Sequence, residues 1–196
     1  MAANLLLEKY NEYKTVVGYT MRYEFVDGGE VSYTFQKKNF PHLIGLQKLI
    51  DIPVISDFND PLKQKISAGF LISRIKKGRF LNENIVRSSL HFYEIQERFD
   101  SFSRDNLLTV SYTDVVIDFN ASRIGSVLKS NYILFEKKGN GFDHLGIAVD
   151  KLGRTYVETF FYNTTDLYIR NQKVVKIKKV QIFDEMGNLY FEDNFI

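Results

Sequence analysis

At Asn106 the hydropathy pattern of the chain changes, and this change constrains the fold more than any other feature. Before it, apolar residues recur mostly at helical spacing. After it they alternate in short β-prone runs, the signature of strands with one buried face. The runs read as strands are LLTVSY, VVIDF, SNYILFEKK, DHLGIAVD, RTYVETFFY, KVVKIKKVQIF and NLYFED. Asp150-Lys151-Leu152-Gly153 and Asp184-Glu185-Met186-Gly187-Asn188 mark two hairpin turns, because Asp and Asn bond their own backbone and Gly accepts a left-handed conformation. In the first half, Leu6, Tyr10, Tyr13 and Val17 predict a helix over residues 2–17. TMRYEFV and EVSYTFQ form a hairpin about Asp27-Gly28-Gly29. A helix begins at Pro41 and runs through HLIGLQKLI, and residues 51–61 read as a loop. Two further helices are expected over 62–77 and 83–102, the second capped by Asn82. Helices early and strands late predict a segregated α+β fold, with helices of the N-terminal half packed on a C-terminal antiparallel sheet. No repeat or Pro-rich linker interrupts the chain, so a single domain over 1–196 is expected. The N-terminal helix and hairpin of residues 1–31 form its extension.

Composition removes several function classes. With no Cys there is no disulfide framework, thiol nucleophile or cysteine-bound metal. No apolar run approaches the ~20 residues of a membrane helix. No basic stretch followed by an apolar block opens the chain, so a soluble, cytoplasmic protein without membrane partners is expected. Lys and Arg number 26 against 24 Asp and Glu, a balance that by itself says nothing about nucleic acid. The distribution says more. Residues 61–82 contain Lys63, Lys65, Arg74, Lys76, Lys77 and Arg79 and no acid, and a second cluster holds Arg170, Lys173, Lys176, Lys178 and Lys179. Each reads either as a solvated face or as a track for phosphates.

Three histidines are the candidates for proton transfer. His91 lies mid-helix and reads as a packing or surface residue. His42 follows Pro41 near an expected helix start, where the dipole disfavours a charged imidazole and favours bound anions; it could equally pack under the hairpin. With Asp150 opposite Gly153, paired residues sum to 303, which sets His144 against Thr159 and Leu145 against Glu158. One face then carries His144, Gly146, Ala148, Thr155, Val157 and Thr159, small residues about a shallow site. Motifs for zinc proteases, nucleotide loops and serine hydrolases are absent, and no acid cluster has metal-ligand spacing, so no metal or cofactor is expected. RNA cleavage without a metal needs a base, an acid and donors to the phosphate. Arg154, Glu158, Thr159, Tyr168, Gln172 and Lys173 supply those types near the last strands, with Lys176 beside them.

The segments SYTFQKKNFPHLIGLQK, ILFEKKGNGFDHLGIAV and YVETFFYNTTDLYIRNQKVVKIKK resemble a phage-associated nuclease family of the superfold that joins barnase, EndoU, colicin nucleases and RelE toxins, in particular its fourth phage subtype. The resemblance covers residues 32–179, taken as the nuclease-like core. It implies a helical part on a four-stranded antiparallel sheet with RNA cleaved on the open face. It implies His42 as a general acid or base and Thr159, where a Ser is expected, as a hydroxyl on the phosphate. Tyr168 and Gln172 would position phosphate or ribose. His144 joins the catalytic candidates, and Lys173, Arg154, Glu158 and Lys176 the substrate-binding ones. The function implied is a metal-independent endoribonuclease of phage or toxin type, with RNA as substrate and a cognate antitoxin or host protein as partner. The alternative is a non-enzymatic phage protein that binds and inhibits a host defence factor.

Overall fold

The computed structural model describes residues 4–59, 66–108 and 111–195, and the chain in it gathers into two units. One takes Met1–Val16 and Gln36–Leu107, the other Val17–Phe35 and Leu108–Ile196. Helices populate the first and strands the second, which makes the class α+β.

In the helical unit, α1 (Leu5–Lys14) buries Leu6, Tyr10 and Tyr13 completely. Tyr10 and Tyr13 meet Phe40 at ring separations of 5.2 and 5.5 Å, and Phe102 closes the cluster 5.6 Å from Phe40. Lys9 reaches across to donate to the carbonyls of Asp100 and Phe102, at 3.3 and 3.2 Å. Burial lowers its pKa.

The single helix expected from Pro41 is broken in two. α2 (Phe40–Leu43) is one turn, Gly45 adopts φ 90°, and Leu46–Lys48 form a separate 3₁₀ turn. A Cβ on Gly45 would stand 2.7 Å from Cγ2 of Ile95. The apolar spacing is helical, but the left-handed glycine and the close approach of Ile95 decide the backbone. Gly45→Ala is therefore expected to lower stability by about 1–3 kcal/mol, read as a shift of the urea midpoint at constant slope.

The stretch 51–61 expected as a loop instead contains α3 (Pro53–Asn59), and residues 60–61 lie outside the described residues. The next helix, α4 (Ala68–Lys77), is capped by the Ser67 hydroxyl, which accepts from the Phe70 N–H at 3.3 Å, and ends at left-handed Gly78. Of the expected span, residues 62–65 lie outside the described residues. Asn82 caps as expected, accepting from Ile85 N at 3.1 Å, yet the helix it starts stops early. α5 (Glu83–Arg87) gives way to a 3₁₀ turn at Phe92–Glu94 and then to α6 (Gln96–Ser101) and α7 (Arg104–Leu107). The break has a cause far away in sequence. Asp51 accepts from the Ser89 hydroxyl and, at 2.8 Å, from the Leu90 N–H. A carboxylate drawing those groups competes with the helical ladder.

The sheet unit contains β1 (Thr20–Phe25), β2 (Glu30–Thr34), β3 (Asp114–Ile117), β4 (Tyr132–Lys138), β5 (Gly141–Val149), β6 (Thr155–Asn163), β7 (Lys173–Phe183) and β8 (Leu189–Asn194). Neighbours are antiparallel in the order β2-β1-β7-β3-β4-β5-β6, and β8 also pairs with β7. The first hairpin is thus built into the sheet, with β1 between β2 and β7, where an appended extension was expected. Among the described residues eight strands replace the four implied by the resemblance. LLTVSY is no strand in its described part: Leu107 ends α7 and Ser111–Tyr112 are irregular, with residues 109–110 outside the described set.

The sheet curls until its ends meet, where the Thr155 hydroxyl on β6 donates to the Ser32 carbonyl on β2. Val115, Leu134, Leu145, Ile147 and Val157 fill one face and are nearly or wholly buried. Phe25 and Tyr23 extend that core, 6.4 and 6.5 Å from the rings of Tyr132 and Tyr112. The opposite face carries a second cluster of Val116, Phe119, Ile133 and Phe135, packed by Ile124, Leu128, Tyr168 and Ile169. His144 lies on this second face.

Candidate active site on the second face of the sheet

The register around His144 is set by the β5–β6 hairpin. Asp150 N–H donates to the Arg154 carbonyl at 2.9 Å, so Asp150 pairs with Arg154 and three residues form the loop. Gly153 takes φ 77°, as such a loop requires. Pairing therefore begins one residue later than expected: Val149 faces Thr155 and Ile147 faces Val157. A bulge next to Gly146 adds one more residue, so Gly146 faces Thr159 and His144 faces Phe161. The expected pairs His144–Thr159 and Leu145–Glu158 are both absent. The two slips restore the parity of β6 beyond the bulge, so His144, Thr159 and Phe161 share a face. Thr155 and Val157 lie on the other.

The shallow site expected here is instead an enclosed aromatic nest. His144 is fully buried. Phe161 stacks on it at 4.7 Å and 5°, while Tyr168, Phe142 and Phe135 lie 5.6, 6.2 and 6.3 Å away. Neither ring nitrogen makes a hydrogen bond of normal geometry among the described residues. Desolvation dominates and pushes the pKa down to about 4, against a weaker upward pull from the carbonyls of Phe142 and Phe161. The imidazole is neutral at pH 7.

Thr159 is buried where Gly146 leaves room for it. A Cβ on Gly146 would collide with Oγ of Ser130 and stand 2.9 Å from Cγ2 of Thr159. Gly146→Ala is expected to cost about 1–3 kcal/mol in a thermal or urea melt, because overpacking has no flexible chain end to displace. An unchanged melt would mean that Ser130 and Thr159 yield freely.

Several substrate-binding candidates are held by the protein itself. Glu158 accepts from Lys129 N at 3.0 Å and from the Ser130 hydroxyl at 2.6 Å, which fixes the bulge. Arg154 pairs with Asp150 at 2.7 Å across the turn. Lys176 pairs with Asp114 at 2.7 Å, and Lys179 with Glu192 at 2.9 Å. Gln172 uses both ends of its amide on one residue: it accepts from Asn120 N and donates to Asn120 O, each at 3.2 Å. This pins the start of β7 to the loop after β3, beneath which Tyr168 packs on Phe119 at 6.4 Å. Tyr168 is half-buried and meets Phe161 edge-on at 4.6 Å, so it covers His144 from the solvent side. Lys173 is exposed at the start of β7.

His42 belongs to the helical unit, whereas Thr159, Tyr168, Gln172 and His144 belong to the sheet unit. It is half-buried, with its ring 5.1 Å from that of Phe58. Its helix is a single turn, too short for an appreciable dipole, so the argument from a helix start loses its basis. His91, expected mid-helix as a packing or surface residue, is half-buried in the turn before Phe92–Glu94, with Nδ1 2.9 Å from a Glu94 carboxylate oxygen. Sequence reasoning missed Ser130 and Asn120. No local signal marks them, because each matters through a partner distant in the chain.

A nearly closed antiparallel sheet in one unit and helices in the other make the class α+β, consistent with nucleases of the barnase, EndoU, colicin and RelE kind. The chain belongs to the family described as phage-Barnase-EndoU-ColicinE5/D-RelE like nuclease4, whose family model matches residues 5–195. The likeness thus extends at both ends beyond the 32–179 core. No curated protein and no solved structure matches the chain. Among the described residues no helix is long and apolar enough to cross a membrane.

Proposed function

We propose that the chain is a ribonuclease that cleaves RNA by metal-independent acid–base transesterification. Family membership makes nucleic acid the substrate class. The observation that carries the choice of RNA is His144, a buried neutral imidazole with neither nitrogen in a hydrogen bond of normal geometry. Buried polar atoms are nearly always bonded, and leaving one unbonded costs about 1–3 kcal/mol. A fold that keeps two on one ring has a use for them. A neutral imidazole is in the right state to take the proton of a ribose 2′-hydroxyl, a group that DNA lacks. The 2′-oxygen then attacks phosphorus, the P–O5′ bond breaks, and the leaving 5′-oxygen takes up a proton. Tyr168, half-exposed, swings aside to admit the ribose. The Thr159 hydroxyl donates to the phosphate, and Gln172 acts through Asn120 as a positioning residue. Lys173 meets the backbone charge. His42, in the first of the segments that resemble the family, is a second proton-transfer group to be tested separately.

The test is to incubate the purified protein with end-labelled RNA in EDTA. Cleavage that persists and leaves 2′,3′-cyclic phosphate ends is expected. Loss of cleavage in EDTA, or 3′-hydroxyl ends, would overturn the mechanism. One observation favours a second reading, a non-enzymatic phage protein that binds and inhibits a host defence factor: the imidazole is wholly enclosed. Intact RNA under all conditions, together with tight capture of such a factor, would place that reading first.

A further inference from the structure

The helical unit holds a cleft of about 420 Å³ between the 3₁₀ turn Lys37–Asn39 and α4, lined by Lys37, Lys38, Gly69, Ile72, Ser73 and Lys76. We propose that this cleft and the aromatic edge of α4 beside it form a docking site for single-stranded RNA. The proposal rests on the ribonuclease reading for its choice of RNA.

Three observations carry it. The first is charge without a partner. Lys37, Lys38 and Lys76 are exposed, and among the described residues no carboxylate pairs with them; Lys76 has only the face of the Tyr10 ring, 5.6 Å from its ammonium. By contrast Lys138, Lys176, Lys179, Arg87 and Arg154 each hold a carboxylate within 3.0 Å. The two basic clusters of the sequence look alike, but in the second Lys176 and Lys179 are already neutralised. Unpaired ammonium groups at a cleft make a site for an anion.

The second is exposed aromatic surface. Phe70 and Phe80 are 37% and 49% exposed. The Arg74 guanidinium lies over both rings, at 4.6 and 4.8 Å, and Arg79 lies over Phe80 at 5.2 Å. Rings and guanidinium planes together are the platform on which unpaired bases stack, and base pairing would withhold those faces.

The third is size. The cleft falls in the ~300–1,000 Å³ range of sites that enclose a ligand, enough for a nucleotide, with Ser73 as a hydroxyl donor on its wall. An acidic peptide would satisfy the lysines but leave the aromatic edge without a partner.

The test uses the full chain and a fluorescein-labelled 12-nucleotide 2′-O-methyl oligo(U), which cannot undergo 2′-hydroxyl attack. Binding is followed by anisotropy from about 50 to 300 mM salt. Replacing Lys37, Lys38 and Lys76 together with Ala should weaken binding at least tenfold at low salt. It should also flatten the slope of log K against log salt by about 2, or ~0.7 for each lost phosphate contact. Phe70→Ala with Phe80→Ala should weaken binding by roughly tenfold or more at an unchanged slope. Both sets lie on the surface, and circular dichroism melts should match the parent. A triple variant with the affinity and slope of the parent would overturn the proposal. So would a poly-glutamate that competes as well as RNA at equal charge, which would give the cleft to an acidic protein. Because the probe resists cleavage, a lost slope in a chain that cleaves no RNA would sink the ribonuclease reading and leave the docking site standing.

Discussion

His144→Phe is expected to melt above the parent and to cleave RNA about 10²–10⁴-fold more slowly, the usual worth of a positioned proton-transfer group. The gain in stability follows from the nest. Phe135, Phe142, Phe161 and Tyr168 surround a ring whose two nitrogens have no bond, so an apolar ring of similar shape removes a penalty of about 1–3 kcal/mol. The loss of rate follows from the proposed chemistry, since phenyl cannot take a proton. A merely structural histidine would show the first effect without the second. Single-turnover cleavage normalised to folded protein separates them, and a higher-melting but fully active variant would end the assignment. Should the extra ring volume strain the nest, His144→Leu makes the same comparison with less bulk. His42→Ala is read beside it. A loss of the same order with little change in melting is expected there, because His42 is only half-buried. Thr159→Val should cost less, since it removes one hydroxyl and keeps the shape. His91→Ala should alter stability at most.

Much of the fold is legible wherever a local pattern decides it. The Asp27-Gly28-Gly29 turn, the Asp150 and Asp184 turns, and the strands they join all appear in the structure, because turn chemistry and alternation act over a few residues. Asn82 caps a helix for the same reason. Failures come where distant groups override the local pattern. Gly45 ends a helix that its neighbours would continue, with Ile95 filling the place of a side chain. Asp51 draws the backbone of residues 89–90 away from a helix whose apolar period runs on. The first hairpin reads as an appendage because its partner, β7, lies more than 150 residues away in sequence.

The site was legible in part, and for a mixed reason. His144 and Thr159 do share a face, but through two errors that cancel: the loop is one residue longer than assumed, and the bulge adds another. Composition alone could not show that Glu158, Arg154, Lys176 and Gln172 are each engaged by the protein. Their partners are Ser130, Asp150, Asp114 and Asn120, of which Asp150 alone is near in sequence. Equally, the charge of residues 61–82 gave no reason to prefer it over the second basic cluster. In the second cluster Lys176 and Lys179 are taken by carboxylates, which leaves Arg170, Lys173 and Lys178 as its exposed charge.

Burial of His144 also makes the folded protein sensitive to mild acid. Its pKa is about 4 when folded and near 6.5 when unfolded, so between those values the unfolded chain binds the extra proton. Stability therefore rises with pH across that window. The contribution is fully present above about pH 6.5, is lost as pH falls, and reaches its limit below about pH 4, where roughly 3 kcal/mol has gone. Three carboxylates act lower. Asp51, Asp150 and Asp184 have pKa values lowered by their hydrogen-bond partners, so their part is present above the unfolded carboxylate value near 3.8 and fades as pH falls through the lowered one. Urea midpoints taken at pH 7, 6, 5 and 4 for the parent and for His144→Phe isolate the imidazole, because the carboxylates are common to both. The gap between the two proteins should widen steadily from pH 7 to pH 4. A gap that stays constant would mean that the histidine keeps its ordinary pKa in the folded chain, through a bond to solvent inside the nest.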